Sequence, residues 1–283
     1  MKLTPYIRKL IGAGLREDVG SGDITTALVI DPEKKATAEI IAKQKGVLAG
    51  VDLAAYIFRS VEGGLKVRPL KPDGAGLRKG EPVLTVSGSA RSILTAERTA
   101  LNFLSHLSGI ATLTDRYVSR IRNTGAAIYD TRKTTPTLRI LEKYAVRQGG
   151  GKNHRFGLFD QILIKSNHIK IAGAITSAVS RAWRRNTKRL KLEVETGNLI
   201  QVRQALQAGA DWIMLDNMPL SEMRKAVNLI RKSKRKIIVE ASGHVTLHNV
   251  RAIAKTGVDV ISVGSLTHSA PALDFSLKII KTK

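Results

Sequence analysis

Cysteine is missing from all 283 residues, which excludes disulfides, thiolate metal ligands and a cysteine nucleophile, and fits a cytoplasmic protein. Aromatic residues are scarce at 4%, so the stacking platform of a single-strand nucleic-acid binder is not built in. Long apolar runs are missing as well. The longest, Val47 to Phe58, contains Asp52 and is too short to span a bilayer. The opening MKLTPYIRKLIGAG has no apolar h-region or cleavage-like site, so no secretory signal is expected. Neither GxSxG nor GxGxxG after a strand occurs, which argues against acyl-enzyme chemistry and a dinucleotide fold.

Acids are the scarce charge. Only 23 Asp and Glu face 47 Lys and Arg, leaving a formal net charge of +24. Such an excess favours anionic partners. Its dense runs, Arg181–Arg189 and Arg231–Lys236, stand near the ends of helix-like segments, where cations complement the helix dipole and read as solvated faces. For nucleic acid, only non-specific contact at low salt is expected. What is present is ordinary: 43% hydrophobic and 25% charged residues, enough for a sizeable core.

The first part of the chain reads as mixed α and β. Thr4-Pro5 starts a helix through about Arg16, Glu17–Asp23 is a turn, and Ala36–Ala42, Gly46–Gly50, Leu65–Leu70 and Glu81–Ser87 are short strands. Ser92–His106 is helical, with Gly109 as its terminator. Helical spacing puts Arg98 on the margin of the apolar stripe and Glu97 inside it. Two readings stand: an Arg–Glu pair at a helix interface, or an Arg presented to an anionic ligand.

From about Gly125 the pattern becomes regular. Strand-like runs at Ala126–Tyr129, Gln161–Ile164, Lys191–Val194, Trp212–Leu215, Ile237–Val239 and Val260–Val263 alternate with amphipathic helices at Leu138–Arg147, Ile175–Trp183, Leu199–Gln207, Ser221–Arg231 and Leu247–Lys255. About six βα units point to an α/β barrel. All six carboxyl ends are polar, charged or glycine: Asp130-Thr131-Arg132-Lys133, Lys165, Glu195, Asp216-Asn217, Glu240-Ala241-Ser242-Gly243 and Gly264-Ser265. In a barrel these ends share the rim that carries the active site.

That rim has a chemical character. Arg132, Lys133, His154, Arg155 and Lys165 form a cationic cluster that Arg98 can join, faced by the acids Glu195, Asp216 and Glu240. The cations suit a ligand carrying carboxylates and phosphates, the acids suit Mg²⁺, and Ser242-Gly243-His244 with Gly264-Ser265 offer a phosphate corner. A Schiff-base role for Lys165 is the alternative; its cationic neighbours favour anion binding. No HxxxH or HExxH spacing supports His168 or His268 as metal ligands, and Asn167-His168 reads as a hydrogen-bonded structural element.

The chain resembles the quinolinate phosphoribosyltransferases, the carboxylating nicotinate-nucleotide pyrophosphorylases. The likeness runs through EDVGSGDITT, AERTALNFLSHLSGIAT, DTRKTTPTLRILEKYAVRQGGGKNHRFGLFDQILIKSNHI, EVE, IMLDNM, EASGHVTLHNV and ISVGSLTHS, covering nearly the whole chain. It implies an N-terminal α/β sandwich-like domain over 1–110, joined by 271–283, and an incomplete TIM-like α/β barrel over 111–270. It also implies conversion of quinolinate and phosphoribosyl pyrophosphate (PRPP) to nicotinate mononucleotide, pyrophosphate and CO₂ with Mg²⁺, in NAD biosynthesis. By the same resemblance, Arg132, His154, Arg155 and Lys165 hold quinolinate, and Arg98 reaches in from the other subunit of a homodimer or larger homo-oligomer. Lys133 meets phosphate; Glu195 and Asp216 meet ribose hydroxyls and Mg²⁺–pyrophosphate. Ser242, Gly243 and Gly264 hold the 5′-phosphate, with His268 nearby. Lys165 or Lys133 is the candidate that reprotonates C2. His244 stands where the family usually has glycine, so it either crowds the phosphate or adds a cation to it. Thr137 likewise replaces a common glycine, and Ser166 a common acid. A paralogous pyrophosphorylase of the ModD kind is the rival within the superfamily, and the intact TRK, NHR and LIK motifs argue against it.

Overall fold

The computed structural model describes residues 1–233 and 235–283; Lys234, inside the second basic run, lies outside the described residues. The chain divides into two compact units, Met1–Leu113 with Gln148–Gly150 and Ala270–Lys283, and Thr114–Arg147 with Gly151–Ser269.

Local chemistry sets the elements in turn. Helix α1 (Pro5–Val19) begins where the Thr4 hydroxyl accepts the Ile7 N–H at 3.4 Å, with Pro5 in the first turn. Only Gly20–Gly22 remain as a turn, because the Asp23 carboxylate accepts the Thr26 N–H at 3.0 Å and caps a helix the sequence reading lacked, α2 (Ile24–Val29). Then come β1 (Lys35–Ala42), β2 (Gly46–Val47), α3 (Val51–Val61), β3 (Lys66–Pro69), β4 (Gly76–Leu77), β5 (Pro82–Ser89) and α4 (Ala90–Arg120). The second unit carries β6 (Ala127–Tyr129), α5 (Arg139–Gln148), β7 (Ile162–Ile164), α6 (Ser166–Ala172), α7 (Ile175–Arg185), β8 (Leu192–Thr196) and α8 (Leu199–Ala208). It continues with β9 (Trp212–Asp216), α9 (Leu220–Arg231), β10 (Ile238–Ser242), α10 (Val250–Ala254), β11 (Val260–Ser262) and α11 (Ser265–His268). Strand β12 (Phe275–Thr282) returns to the first unit.

In the first unit an antiparallel sheet runs β12-β1-β5-β3, and β2 pairs with β4. Strand β1 alternates as a half-buried strand should, with Ala36, Ala38, Ile40 and Ala42 inside. The apolar run around Val47–Phe58 is mostly α3, whose Leu53, Ile57 and Phe58 are fully buried, each worth about 1.5–3 kcal/mol. Gly109 does not end α4, which continues to Arg120. A Cβ at Gly109 would stand 2.2 Å from the Pro271 carbonyl oxygen, so this glycine permits a close backbone approach inside the helix. The buried face of α4 contains Ile93, Ala96, Ala100, Leu104 and Leu107. Leu94 is only half-buried, so Arg98 is exposed rather than on the margin of the core.

The second unit is a parallel sheet in the order β6-β11-β10-β9-β8-β7. All six strand expectations fall on observed strands. Strands β8, β9 and β10 are buried along most of their length, and α8 and α9 cover the sheet with Val202, Ala205, Met223, Val227 and Ile230. The order is sequential, with the first strand beside the last, so there is no switch point of the doubly wound kind. Among the described residues no ladder joins β7 to β6; beside β6 there is one parallel bridge, Tyr129 with Lys152.

Candidate active site

The carboxyl ends of these parallel strands line one cavity of about 590 Å³. It gathers Arg132, Lys133, His154, Arg155, Lys165, Glu195, Asp216, Ser242, Gly243, His244, Gly264 and His268, every residue expected in the substrate site except Arg98. Arg98 lies on α4 in the first unit, exposed, and lines no part of this cavity. Thr131, Asn217, Glu240 and Ser265 also line it. Asp130 is a correction to the polar-rim expectation. It is fully buried beneath the rim, where its carboxylate takes the Lys143 ammonium, the Asn153 amide and the His154 N–H.

The loop after β6 is held from several sides. Thr267 Oγ1 donates to the Lys133 carbonyl at 2.6 Å, and Arg139 donates to the Arg132 carbonyl at 3.2 Å and to Thr134 Oγ1 at 2.9 Å. A turn follows, closed by the Leu138 N–H on the Thr135 carbonyl at 3.1 Å, with Pro136 second and Thr137 third at φ 69°. A positive φ there asks for glycine, and a β-branched residue bears strain. Thr137→Gly is therefore expected to raise stability by about 1 kcal/mol, read from urea unfolding, once glycine's greater unfolded freedom offsets part of the relief.

The cations of the site are short of partners. Arg132 Nε is buried without a hydrogen bond, while Arg155, nearly buried, gives one guanidinium N–H to the Gln161 carbonyl at 3.2 Å. Burial, then the like charge of Arg132, pushes Arg155 below the usual guanidinium range. Lys165 Nζ reaches Glu195 Oε2 at 3.5 Å, and the His168 ring nitrogen Nδ1 accepts the Lys165 N–H at 2.9 Å, a structural role for this histidine. At Asp216, burial and then the Glu195 charge raise the carboxyl above its ordinary value.

Below the cations sits a buried network. His154 Nε2 lies 3.2 Å from Glu193 Oε2 and 3.3 Å from Glu240 Oε2, both carboxylates fully buried. Gln161 donates to Glu193 at 2.7 Å, the Ser262 hydroxyl donates to Glu240, and the Arg155 N–H points at His154 Nδ1 at 2.8 Å. Burial alone would lower His154, but the hydrogen-bonded Glu193 and Glu240 outweigh it and raise it to about 10. Burial and then the Glu240 charge lift Glu193 to about 7. Since Nδ1 accepts a main-chain N–H, the retained proton is shared on the Nε2 and carboxylate side. These three side chains also lie within 4.8 Å of one another, a spacing that one metal ion could bridge; the donors from Gln161 and Ser262 make a hydrogen-bonded network the fuller description. The folded state thus holds protons more tightly than the unfolded chain. The stability this gives is present in mild acid and lost as pH rises through about 7 and then about 10. Melting temperature is expected to fall between pH 6.5 and 10, and to fall less in Glu193→Gln. A flat profile in the parent protein would contradict it.

Sequence reasoning passed over Glu193. Its signal was available, since Glu193 stands two residues before Glu195 and the period-two alternation of a strand puts both acids on one face.

At the other end of the cavity three left-handed residues stand together, Asn217 at φ 55°, Gly243 at 94° and His244 at 48°. A Cβ on Gly243 would lie 2.1 Å from Asn217 Oδ1, so only glycine fits under that side chain. Asn217 Nδ2 donates to Asp216 at 2.8 Å, leaving Oδ1 to accept from His244 Nδ1 at 2.7 Å. His244 is thus drawn toward Asn217, with Nε2 as its remaining polar edge. Gly264 has ordinary helical φ, and its need is space: a Cβ would meet Lys133 Cδ at 3.0 Å and His268 Nε2 at 3.2 Å.

Comparison with known proteins agrees with this geometry. Residues 23–108 match the family model for the quinolinate phosphoribosyl transferase N-terminal domain, and residues 110–278 match that for its C-terminal domain. The nicotinate-nucleotide pyrophosphorylase [carboxylating] of Mycobacterium leprae is 43% identical over 275 residues, 96% of each chain. A chloroplastic protein of the same name from Oryza sativa subsp. japonica is 44% identical over 96% of this chain and 77% of its own. The crystal structure of NadC from Streptococcus pyogenes superposes with a TM-score of 0.94 at 41% identity, covering 100% of this chain and 99% of that one. With both of its domains matched, the chain belongs to the quinolinate phosphoribosyltransferase family.

Proposed function

We propose that the cavity transfers the phosphoribosyl group of PRPP to quinolinate, releasing pyrophosphate and CO₂ and leaving nicotinate mononucleotide, a step of NAD biosynthesis. The observation that carries this is the pair of like-charged guanidiniums, Arg132 with an unpaired buried Nε and Arg155 pushed down by burial and then by Arg132, in a cavity that also holds Lys133 and Lys165. Such a cluster is satisfied by a dicarboxylate between its forks. Arg132, Arg155 and Lys165 hold the two carboxylates, and His154, its ring nitrogens engaged by the Arg155 N–H and by Glu193 and Glu240, forms the fixed floor beneath them. Lys133 takes phosphate charge. Ser242, Gly243 and Gly264 receive the 5′-phosphate, with His244 and His268 at its edge, and this convergence of strand ends supports the incomplete-barrel reading of the sheet.

The pyridine nitrogen then attacks C1′ as pyrophosphate departs, and the carbon passes through an oxocarbenium-like state. Glu195 and Asp216 bind the ribose hydroxyls and keep the ring in line. The half-buried Asp216 and its neighbour Glu195 repel each other, a hard-oxygen donor pair that fits Mg²⁺. These two residues would hold the ion together with substrate pyrophosphate, and its chemistry there is to neutralise the leaving group. Once the ring nitrogen is quaternary it stabilises the carbanion left by CO₂, and Lys165 or Lys133 returns a proton to C2. Rate enhancement comes from positioning and electrostatics.

In this reading the protein is a cytoplasmic homodimer or larger homo-oligomer, with Arg98 reaching the cavity of a second copy; the described residues include no helix long and apolar enough to cross a membrane. The test is direct: quinolinate, PRPP and Mg²⁺ with purified protein, following loss of quinolinate and appearance of nicotinate mononucleotide. Turnover that stops on omitting either substrate, or on adding EDTA, is the expected result. A folded protein that leaves quinolinate untouched overturns the proposal.

A further inference from the structure

Another cleft, about 650 Å³, is lined by Trp183, Asn186, Arg189, Leu190, Lys191, Asp211, Lys236 and Ile238. Its position is opposite the active site. Lys191, Asp211 and Lys236 precede strands β8, β9 and β10, whose other ends carry Glu195, Asp216 and Ser242, about 16 Å away along the strands. Read one at a time along the chain, the two basic runs are separate helix ends. The fold brings them to one cleft, Arg189 from the first and Lys236 from the second.

Some of these cations have structural work. Arg235 donates to the carbonyls that end α8, those of Leu206, Gly209 and Ala210, and Arg231 pairs with Asp259 at 2.7 Å. The others do not. Arg181, Arg184, Arg185, Lys188, Arg189, Lys191, Lys232 and Lys236 are all exposed, and none forms an ion pair among the described residues. The cleft's own acid, Asp211, commits one carboxylate oxygen to the Leu192 N–H at 3.0 Å. Trp183, 37% exposed, adds an aromatic surface to the same wall. Unpaired like charges repel one another, and an anion relieves that repulsion. A tryptophan beside them offers what a planar base stacks upon.

We propose that this cleft is a second ligand site that takes a nucleoside phosphate, its base against Trp183 and its phosphates on Arg189, Lys191 and Lys236. A free nucleotide and a stretch of single-stranded RNA share this chemistry. The full-length protein is titrated at 0.15 M NaCl with ATP and, separately, with a short oligouridylate, with quinolinate and pyrophosphate saturating the strand-end cavity. Tryptophan fluorescence is followed, since Trp183 and Trp212 are the only two tryptophans and Trp212 is buried. Quenching by at least one probe is expected, lost in Trp183→Phe. Affinity should fall about tenfold or more in Arg189→Glu/Lys236→Glu. Turnover of that variant should stay within about twofold of the parent, which shows that it folds. Should it not fold, Lys191→Gln/Lys236→Gln removes charge without reversing it. Response to ATP alone assigns a free nucleotide, and response to the oligomer alone assigns RNA. The proposal falls if neither probe binds, if charge reversal leaves affinity unchanged, or if filling the strand-end cavity abolishes binding.

Discussion

Arg132→Ala is expected to lower kcat/KM for quinolinate by about a hundredfold or more, chiefly through KM. A charge-assisted, forked contact to a carboxylate is worth about 1.5–3 kcal/mol, and its loss also leaves Arg155 facing the same anion alone. Each 1.4 kcal/mol is a factor of ten, so the upper part of that range gives the hundredfold. Arg132→Lys should recover little, because a point charge cannot form two parallel bonds. Steady-state kinetics with each substrate varied in turn make the check: KM for PRPP should move far less than KM for quinolinate. A quinolinate KM unchanged in Arg132→Ala removes this residue from the carboxylate site. The buried, unpaired Nε gives the prediction its force, since in the free protein the guanidinium already lacks a partner there.

Asp130→Ala should cost about 3–5 kcal/mol of stability, the largest loss expected from any single change described above. Asp130 is 0% and Lys143 3% exposed, so removing the carboxylate strands a buried ammonium. The damage also reaches the active site, because Asp130 accepts the His154 N–H at 2.9 Å and Lys143 donates to the His154 carbonyl at 2.9 Å. Denaturant unfolding measures the loss. Asp130→Leu combined with Lys143→Met, which removes both charges, should restore much of it, whereas equal stability of the single and double variants would show that the pair is not coupled.

These two residues mark how far the sequence could be read. Arg132 was legible because strand ends in a parallel α/β sheet share one rim, so the six βα units and the residues just after them were enough to gather the cluster. Asp130, two positions earlier, looked like part of the same rim. Whether a strand-end acid faces the cavity or the layer beneath depends on a lysine thirteen residues on, inside a helix whose buried face no local pattern reveals. The same holds for α4: Gly109 carries the mark of a helix end, yet its meaning is set by Pro271, far away in sequence. Thr137 and His244 look like departures from a motif until their φ angles show left-handed positions occupied by side chains. The two basic runs were visible as charge, but their meeting at one cleft needed the strand order. Short-range signals therefore carried elements and polarity, while buried ionic partners and close backbone approaches waited for tertiary contacts.

Strand β12 pairs with β1 along its length, from Phe275 opposite Ala42 to Thr282 opposite Ala36. Every residue of the second unit is made before β12. A ribosome reading this message therefore releases β1 long before its neighbour exists, and for that interval one hydrogen-bonding edge of the first sheet has no partner. In the second unit the short strand β6 waits likewise for β11, but β11 is made before β12. Vectorial synthesis accordingly sets an order in which the parallel sheet can finish first and the antiparallel sheet last. The nascent edge of β1 is then the segment most in need of shielding by a chaperone.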